Sequence, residues 1–145
     1  MAVRLNPAKH MIRLSFAMLG TFAVVGCGDN RPRTVTVKTK VIVNGAPATG
    51  ADVTLHPVQS EWQKNWNHRP FGKVREDGTV SFSTFRPSDG VPPGKYIVTI
   101  LWANSEGEND RLRGEHSSPE RSQPITATIG DSATEIPTIE LRTCP

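Results

Sequence analysis

The stretch TVTVKTKVIV, residues 34–43, decides the fold class of this chain. Apolar or hydroxyl side chains recur there at every second position and share one face: Val35, Val37, Thr39, Val41 and Val43. The charged side chains of Lys38 and Lys40 fall on the other face. A period of two is typical of a half-buried strand. The dipeptide Asn44-Gly45 follows directly and is a strong signal for a tight turn.

The same period continues along the chain, and no helical pattern competes with it. Further strands are predicted, with turn signals between them, in the stretches 51–57, 71–85, 91–103, 123–129 and 134–141. The stretch 71–85 divides at Asp77-Gly78 into a hairpin, and Pro137 interrupts the last stretch, which indicates an edge position or a bulge. The stretch 91–103 carries apolar side chains on both faces, so it is predicted to be central. Residues 35–142 are thus predicted to form an all-β, seven-stranded antiparallel sandwich with Greek-key connections.

A separate pattern occupies residues 1–26. Arg4, Lys9 and Arg13 precede the apolar run LSFAMLGTFAVVG, and no acidic residue occurs there. A positive segment followed by a short apolar segment is typical of a secretory signal peptide. The run is shorter than the roughly 20 apolar residues needed to span a bilayer.

The four residues Val24-Val25-Gly26-Cys27 resemble a bacterial lipobox. The resemblance implies that the Cys27 thiol carries a diacylglycerol, that cleavage follows Gly26, and that the new amine is a site for acylation. Residues 27–34 would then be the lipidated cysteine and a short tether, with the domain on the periplasmic or extracytoplasmic face of the cell membrane. The alternatives are a plain secretory signal with an incidental cysteine, or an uncleaved anchor. If Cys27 is lipidated, Cys144 is a free thiol or forms an intermolecular link.

The charge distribution argues against a nucleic-acid partner. The chain has 17 Lys and Arg and 14 Asp and Glu, but three of the cations lie in the predicted signal and all of the acids lie after Cys27. The mature chain therefore has 14 charges of each sign and no basic footprint for nucleic acid.

Two stretches resemble a known family: VNGAPATGADVTLHP, residues 43–57, and the segment from EDGTVSFST to GVPPGKYIVTI within residues 76–100. They are similar to carboxypeptidase regulatory-like domains, and most of all to planctomycete-like bacterial lipoproteins of that type. The resemblance implies a prealbumin-like (transthyretin-like) fold over about residues 35–142. A prealbumin-like enzyme family that hydrolyses 5-hydroxyisourate uses a histidine near the first strand and a C-terminal Tyr-Arg-Gly-Ser, and this chain has neither.

No catalytic, metal or cofactor site is predicted. His56, His68 and His116 are far apart, and the chain lacks His-x-x-x-His, Cys-x-x-Cys, Gly-x-Ser-x-Gly and a glycine-rich phosphate loop. The sequence therefore favours a non-enzyme, and a hydrolase or metal enzyme is the weakest of the three classes considered.

The loop QSEWQKNWNHRPFG, residues 59–72, holds the candidate binding residues Trp62, Trp66, His68 and Arg69. If 61–67 forms a helical turn, both indoles lie on one side. They would either close one end of the sandwich or form a platform for a carbohydrate or peptide. The favoured hypothesis is a membrane-anchored, non-enzymatic structural or binding accessory module with a protein or polysaccharide partner. The alternative is a carbohydrate-binding lipoprotein that uses this loop.

Overall fold

Nine strands and one short 3₁₀ turn make up the part of the chain that the computed structural model describes, namely residues 30–58, 61–64, 66–104 and 109–143. The predicted signal, Cys27 and Cys144 lie outside these ranges. The strands are β1 (Val37–Val43), β2 (Ala46–Pro47), β3 (Asp52–Val58), β4 (Phe71–Lys73), β5 (Thr79–Ser81), β6 (Gly94–Leu101), β7 (Ile125–Ile129), β8 (Thr134–Glu135) and β9 (Ile139–Leu141). The 3₁₀ turn is Glu61–Lys64.

Two sheets face each other in a sandwich-like arrangement. One has the strand order β4-β3-β6-β7 and is antiparallel throughout. In the other sheet, four strands pair directly with β1. Along one edge of β1 its first half pairs with β5 and its end with β2, and along the opposite edge its start pairs with β8 and its end with β9. The prediction of an all-β sandwich is confirmed at this level, while the Greek-key connections and the transthyretin-like family stay predictions.

The strand β1 shows the predicted alternation. Val37, Val41 and Val43 are buried, and Lys38 and Lys40 are exposed. The β1–β2 turn is at Asn44-Gly45, and both residues have positive φ, as a two-residue hairpin turn of this kind requires. The position of β6 between β3 and β7 confirms that it is central, but its outer face is partly open, since Leu101 is 45% exposed.

The count of seven strands and the purely antiparallel pairing are wrong for the described residues. The short strand β2 was not predicted, and the last predicted strand is divided into β8 and β9 on either side of Pro137, which has no N–H to continue a ladder. Both of these strands run parallel to β1, because the chain crosses from β7 to the other sheet beside Thr36 and then follows β1 in its own direction. Pro137 lies at a sheet edge, as predicted, and its carbonyl accepts a hydrogen bond from Thr39 Oγ1 at 3.1 Å.

The hairpin predicted around Asp77-Gly78 has its turn, but its two arms join different sheets. Asp77 Oδ1 accepts hydrogen bonds from the N–H and the hydroxyl of Thr79, and β5 then pairs with β1, whereas β4 pairs with β3. The arms are held together by the bridge between Phe71 and Ser83. The hairpin therefore connects the two sheets along one side of the sandwich.

The core lies between the two sheets, and Tyr96 is the largest of its fully buried side chains. This side chain is 1% exposed, and its hydroxyl donates to the carbonyl of Pro92 at 2.5 Å. A tyrosine whose hydroxyl returns to the backbone a few residues upstream is the tyrosine corner of immunoglobulin-type sandwiches. It fixes the chain at the start of β6 in the segment VPPGKY. The other large buried side chains include Phe82, Leu55, Ile100 and Leu112.

Candidate functional site

The loop between β3 and β4 places both predicted tryptophans at one end of the sandwich. The 3₁₀ turn Glu61–Lys64 carries Trp62, and the N–H of Trp66 donates to the carbonyl of Trp62 at 3.1 Å. The helical turn that the sequence analysis considered for 61–67 is thus present as a 3₁₀ turn over Glu61–Lys64. Both indoles lie against the ring of Phe85, with centroid distances of 6.2 Å for Trp62 and 5.5 Å for Trp66.

Phe85, which the sequence analysis did not single out, is the centre of this group. The ring of His68 also lies against it, at a centroid distance of 5.4 Å. We call Trp62, Trp66, His68 and Phe85 the aromatic cluster. The rings meet at steep or tilted angles, 78° for Trp62 and 69° for Trp66, which is the edge-to-face packing that aromatic pairs favour.

The backbone around Phe85 is held by the carboxylate of Asp89. One oxygen accepts the N–H of Thr84 at 2.7 Å, and the other accepts the N–H groups of Phe85 and Arg86, both at 3.0 Å. The Thr84 hydroxyl donates to the carbonyl of Gly90 at 2.6 Å. The one sequence signal for this arrangement is the spacing Thr84 to Asp89-Gly90, because an aspartate that caps backbone N–H groups is a common loop device.

The two tryptophans differ in their surroundings. Trp62 is half-buried and packs against the core, and its indole N–H is buried, with no hydrogen-bond partner among the described residues. That N–H lies near the Tyr96 hydroxyl without reaching hydrogen-bond geometry. The pKa of Tyr96 is raised above its usual value by burial and lowered to a smaller extent by Trp62. Trp62 thus closes the end of the sandwich above Tyr96.

Trp66 lies further out. The guanidinium carbon of Arg31, in the segment that leads into the domain, is 5.8 Å from the centre of its ring. A cation over an indole face at this distance is a cation–π contact. The beginning of the described chain is therefore held against the aromatic cluster.

The other two predicted loop residues separate. His68 is exposed and belongs to the aromatic cluster. Arg69 is also exposed, but its charge acts on His56 of β3. Burial lowers the pKa of His56, and the nearby Arg69 lowers it further. His56 Nε2 is 2.8 Å from the hydroxyl of Thr99. The structure thus brings together three of the four candidate residues and places Arg69 beside a different histidine.

The surface next to the aromatic cluster is apolar. A shallow depression of about 290 Å³ is lined by Phe71, Ser83, Thr84, Phe85, Arg86 and Pro87. Phe71 is 59% exposed, and Val58, at the end of β3, is 41% exposed. These apolar side chains escaped the sequence analysis, because alternation alone does not tell which face of a strand stays uncovered.

The remaining histidine, His116, lies in the loop between β6 and β7. It contacts the guanidinium of Arg121, and its pKa is lowered by burial and, to a smaller extent, by that charge. In the described ranges there is no group of three or more His, Cys, Asp or Glu that would hold a metal ion. No helix among these residues is long and apolar enough to cross a membrane.

Comparison with known proteins gives no family for this chain. No protein-family profile matches it, and no curated protein does. Among solved structures, the chain is similar to BcpA, the major pilin subunit of Bacillus cereus, with 19% identity and a TM-score of 0.41, and to a variant of that subunit with 17% identity and a TM-score of 0.42. Each alignment covers 75% of this chain and 30% of the pilin subunit. Function has to be inferred from the chain's own residues.

Proposed function

We propose that this chain is a lipid-anchored, non-enzymatic lipoprotein that presents a β-sandwich accessory module on the extracytoplasmic side of a membrane. The observation that carries the proposal is Val24-Val25-Gly26-Cys27, placed directly after a positive and an apolar segment. Two acyl chains on Cys27 would give a stable anchor, since each buried methylene contributes about 0.8 kcal/mol. The domain would remain in water, tied to the membrane by residues 27–34.

The described side chains support a non-enzymatic role. The pair that most resembles a base and a nucleophile is His56 and Thr99, 2.8 Å apart. A general base has to become protonated during the reaction, and both burial and the charge of Arg69 oppose that in His56. The Thr99 hydroxyl is also almost fully buried. We therefore interpret this pair as a structural contact of the sheet.

The alternative is a carbohydrate-binding lipoprotein. Trp66 and His68 are the observation in its favour, because both lie at the surface of the aromatic cluster with Arg31 beside them. A sugar would stack on the Trp66 ring only if it displaced or joined Arg31. Saturable polysaccharide binding that is lost in Trp66→Ala, with the thermal melt unchanged, would support this alternative over the accessory role.

The test of the anchor is fatty-acid labelling of the full chain in a bacterial host. The wild type should incorporate the label and partition into detergent, and Cys27→Ser should do neither. Cys144→Ser is the matched control and should be labelled like the wild type. An unlabelled wild-type chain that stays in the aqueous phase would refute the lipoprotein proposal.

A further inference from the structure

The chain enters the domain at the end that carries the aromatic cluster. Arg31 lies over Trp66, and Val35 forms a bridge with Val91 just before β6 begins. Three residues lie between Cys27 and Arg31, so four Cα–Cα steps join them. A fully extended chain spans at most about 3.6 Å per residue, so the two Cα atoms are no more than about 14 Å apart. An acyl group on Cys27 therefore keeps this end of the domain close to the bilayer surface.

The opposite end of the domain is held further away. Trp62 follows Val58, which pairs with Lys95, whereas Trp102 follows Leu101, which pairs with Asp52. These two residue pairs lie at opposite ends of β3, which spans about 20 Å at roughly 3.3 Å per residue. Trp102 donates its indole N–H to the carbonyl of Thr49 at 3.0 Å and stacks on Arg111. The two ends are thus marked by different tryptophans.

The end that carries the aromatic cluster has the chemistry of a membrane interface. Trp66 and Phe85 combine flat rings with apolar surface, and Val58 at this end of β3 is 41% exposed. The chain segments at this end supply six cations: Arg31, Arg33, Lys64, Arg69, Arg86 and Lys95. The described acidic side chains at this end are Asp89 and Asp131, and the Asp89 carboxylate accepts hydrogen bonds from three backbone N–H groups. Aromatic rings favour the headgroup region of bilayers, and basic side chains favour anionic headgroups.

We propose that this end of the domain lies on the headgroup region of the membrane that holds the Cys27 anchor. Trp66 and Phe85 contact the interface, and Arg69 and Arg86 lie near lipid phosphates. The inference rests on the proposed lipid anchor. It assigns the aromatic cluster a lipid surface as its partner, and it orients the domain with Trp102 pointing away from the membrane.

The test uses the full-length lipidated protein in vesicles of phosphatidylcholine, with and without phosphatidylglycerol. Tryptophan fluorescence is quenched by a phospholipid that carries a nitroxide near its headgroup. Trp66→Phe should lose more than half of the quenching, and the matched control Trp102→Phe should retain nearly all of it. Phosphatidylglycerol should increase the quenching of Trp66, and salt should reverse that increase.

The outcomes separate the two proposals. The same samples are analysed by mass spectrometry for the acyl groups on Cys27. A chain without acyl groups refutes the anchor and this orientation together. An acylated chain whose quenching resides in Trp102, or is shared equally by the three tryptophans, refutes the orientation alone. An acylated chain in which Trp66 is insensitive to lipid but responds to added polysaccharide or protein assigns the aromatic cluster to that partner and also overturns the inference. A cooperative melt of both variants confirms that each is folded.

Discussion

Tyr96→Phe tests the tyrosine corner that fixes the start of β6. The substitution keeps the ring and removes only the hydroxyl that donates to Pro92 at 2.5 Å. The Pro92 carbonyl is left buried without its donor, and such a loss costs about 1–3 kcal/mol of unfolding free energy. For a domain of this size each kcal/mol lowers the Tm by about 4–8 °C. Calorimetry should therefore show a clear decrease in the Tm of Tyr96→Phe.

The same side chain gives a pH dependence of known sign. Burial raises the pKa of Tyr96 in the folded protein, while in the unfolded chain it has its usual value of about 10. Above that value the unfolded state loses its proton first and is stabilised, so the unfolding free energy falls as the pH rises. The expected loss is about 1 kcal/mol between pH 10 and pH 11, and it should be missing from Tyr96→Phe.

The assay is direct, because Tyr96 is the only tyrosine in the chain. Tyrosinate absorbance followed against pH should rise together with unfolding, well above the usual pKa of tyrosine. Thr126→Val, which removes an exposed hydroxyl from β7, is the control and should change stability by less than about 0.5 kcal/mol. A titration at the usual pKa while the domain is still folded, or a Tyr96→Phe melt like that of the wild type, would refute the reasoning.

Three further substitutions test the end of the sandwich. Trp62→Ala should lower the unfolding free energy by about 3 kcal/mol, because Trp62 packs against the core, whereas Trp66→Ala should lower it by about 1 kcal/mol. Equal losses in denaturant melts would contradict the assigned roles. Gly90→Ala should lower the unfolding free energy by about 1–3 kcal/mol, because φ at Gly90 is +94° and an added Cβ would overlap the backbone of Val35. A melt like that of the wild type would show that the segments of Gly90 and Val35 separate easily. Asp89→Ala leaves three backbone N–H groups without their acceptor and should cost about 2 kcal/mol, with a change in tryptophan emission; unchanged emission would mean that the loop holds Phe85 without it.

The alternation of side chains was sufficient to predict the all-β class and the central place of β6, because burial on one face of a strand imposes a period of two. It was insufficient for the parallel pairing of β8 and β9, since direction depends on how the chain crosses between sheets. Gly50 has open surroundings, and its positive φ is the reason that a glycine is favoured there. Close approaches occur instead at Gly72, beside Val80 and Ser81 in the other arm of the same hairpin, and at Gly90, beside Val35, which is distant in sequence.

The aromatic cluster shows the same limit. The spacing of Trp62 and Trp66 indicated that both indoles lie on one side if the segment forms a helical turn, because that relation is local. The contacts of Trp66 to Phe85 and to Arg31 join segments about 20 and about 35 residues apart, and composition carries no signal for such pairs. The position of Arg69 beside His56 was missed for the same reason.

The pairing of β1 with β9 has a consequence for the order of folding. Strand β1 lies at the start of the domain, and its partner Ile139–Leu141 is made almost last, with Asn44 and Thr143 joined by two hydrogen bonds across 99 residues of chain. A sheet that depends on such distant segments folds slowly and only once nearly the whole chain is available. During synthesis β1 therefore keeps one edge unpaired until β9 has been made, so this sheet is completed only when the last residues of the domain are available.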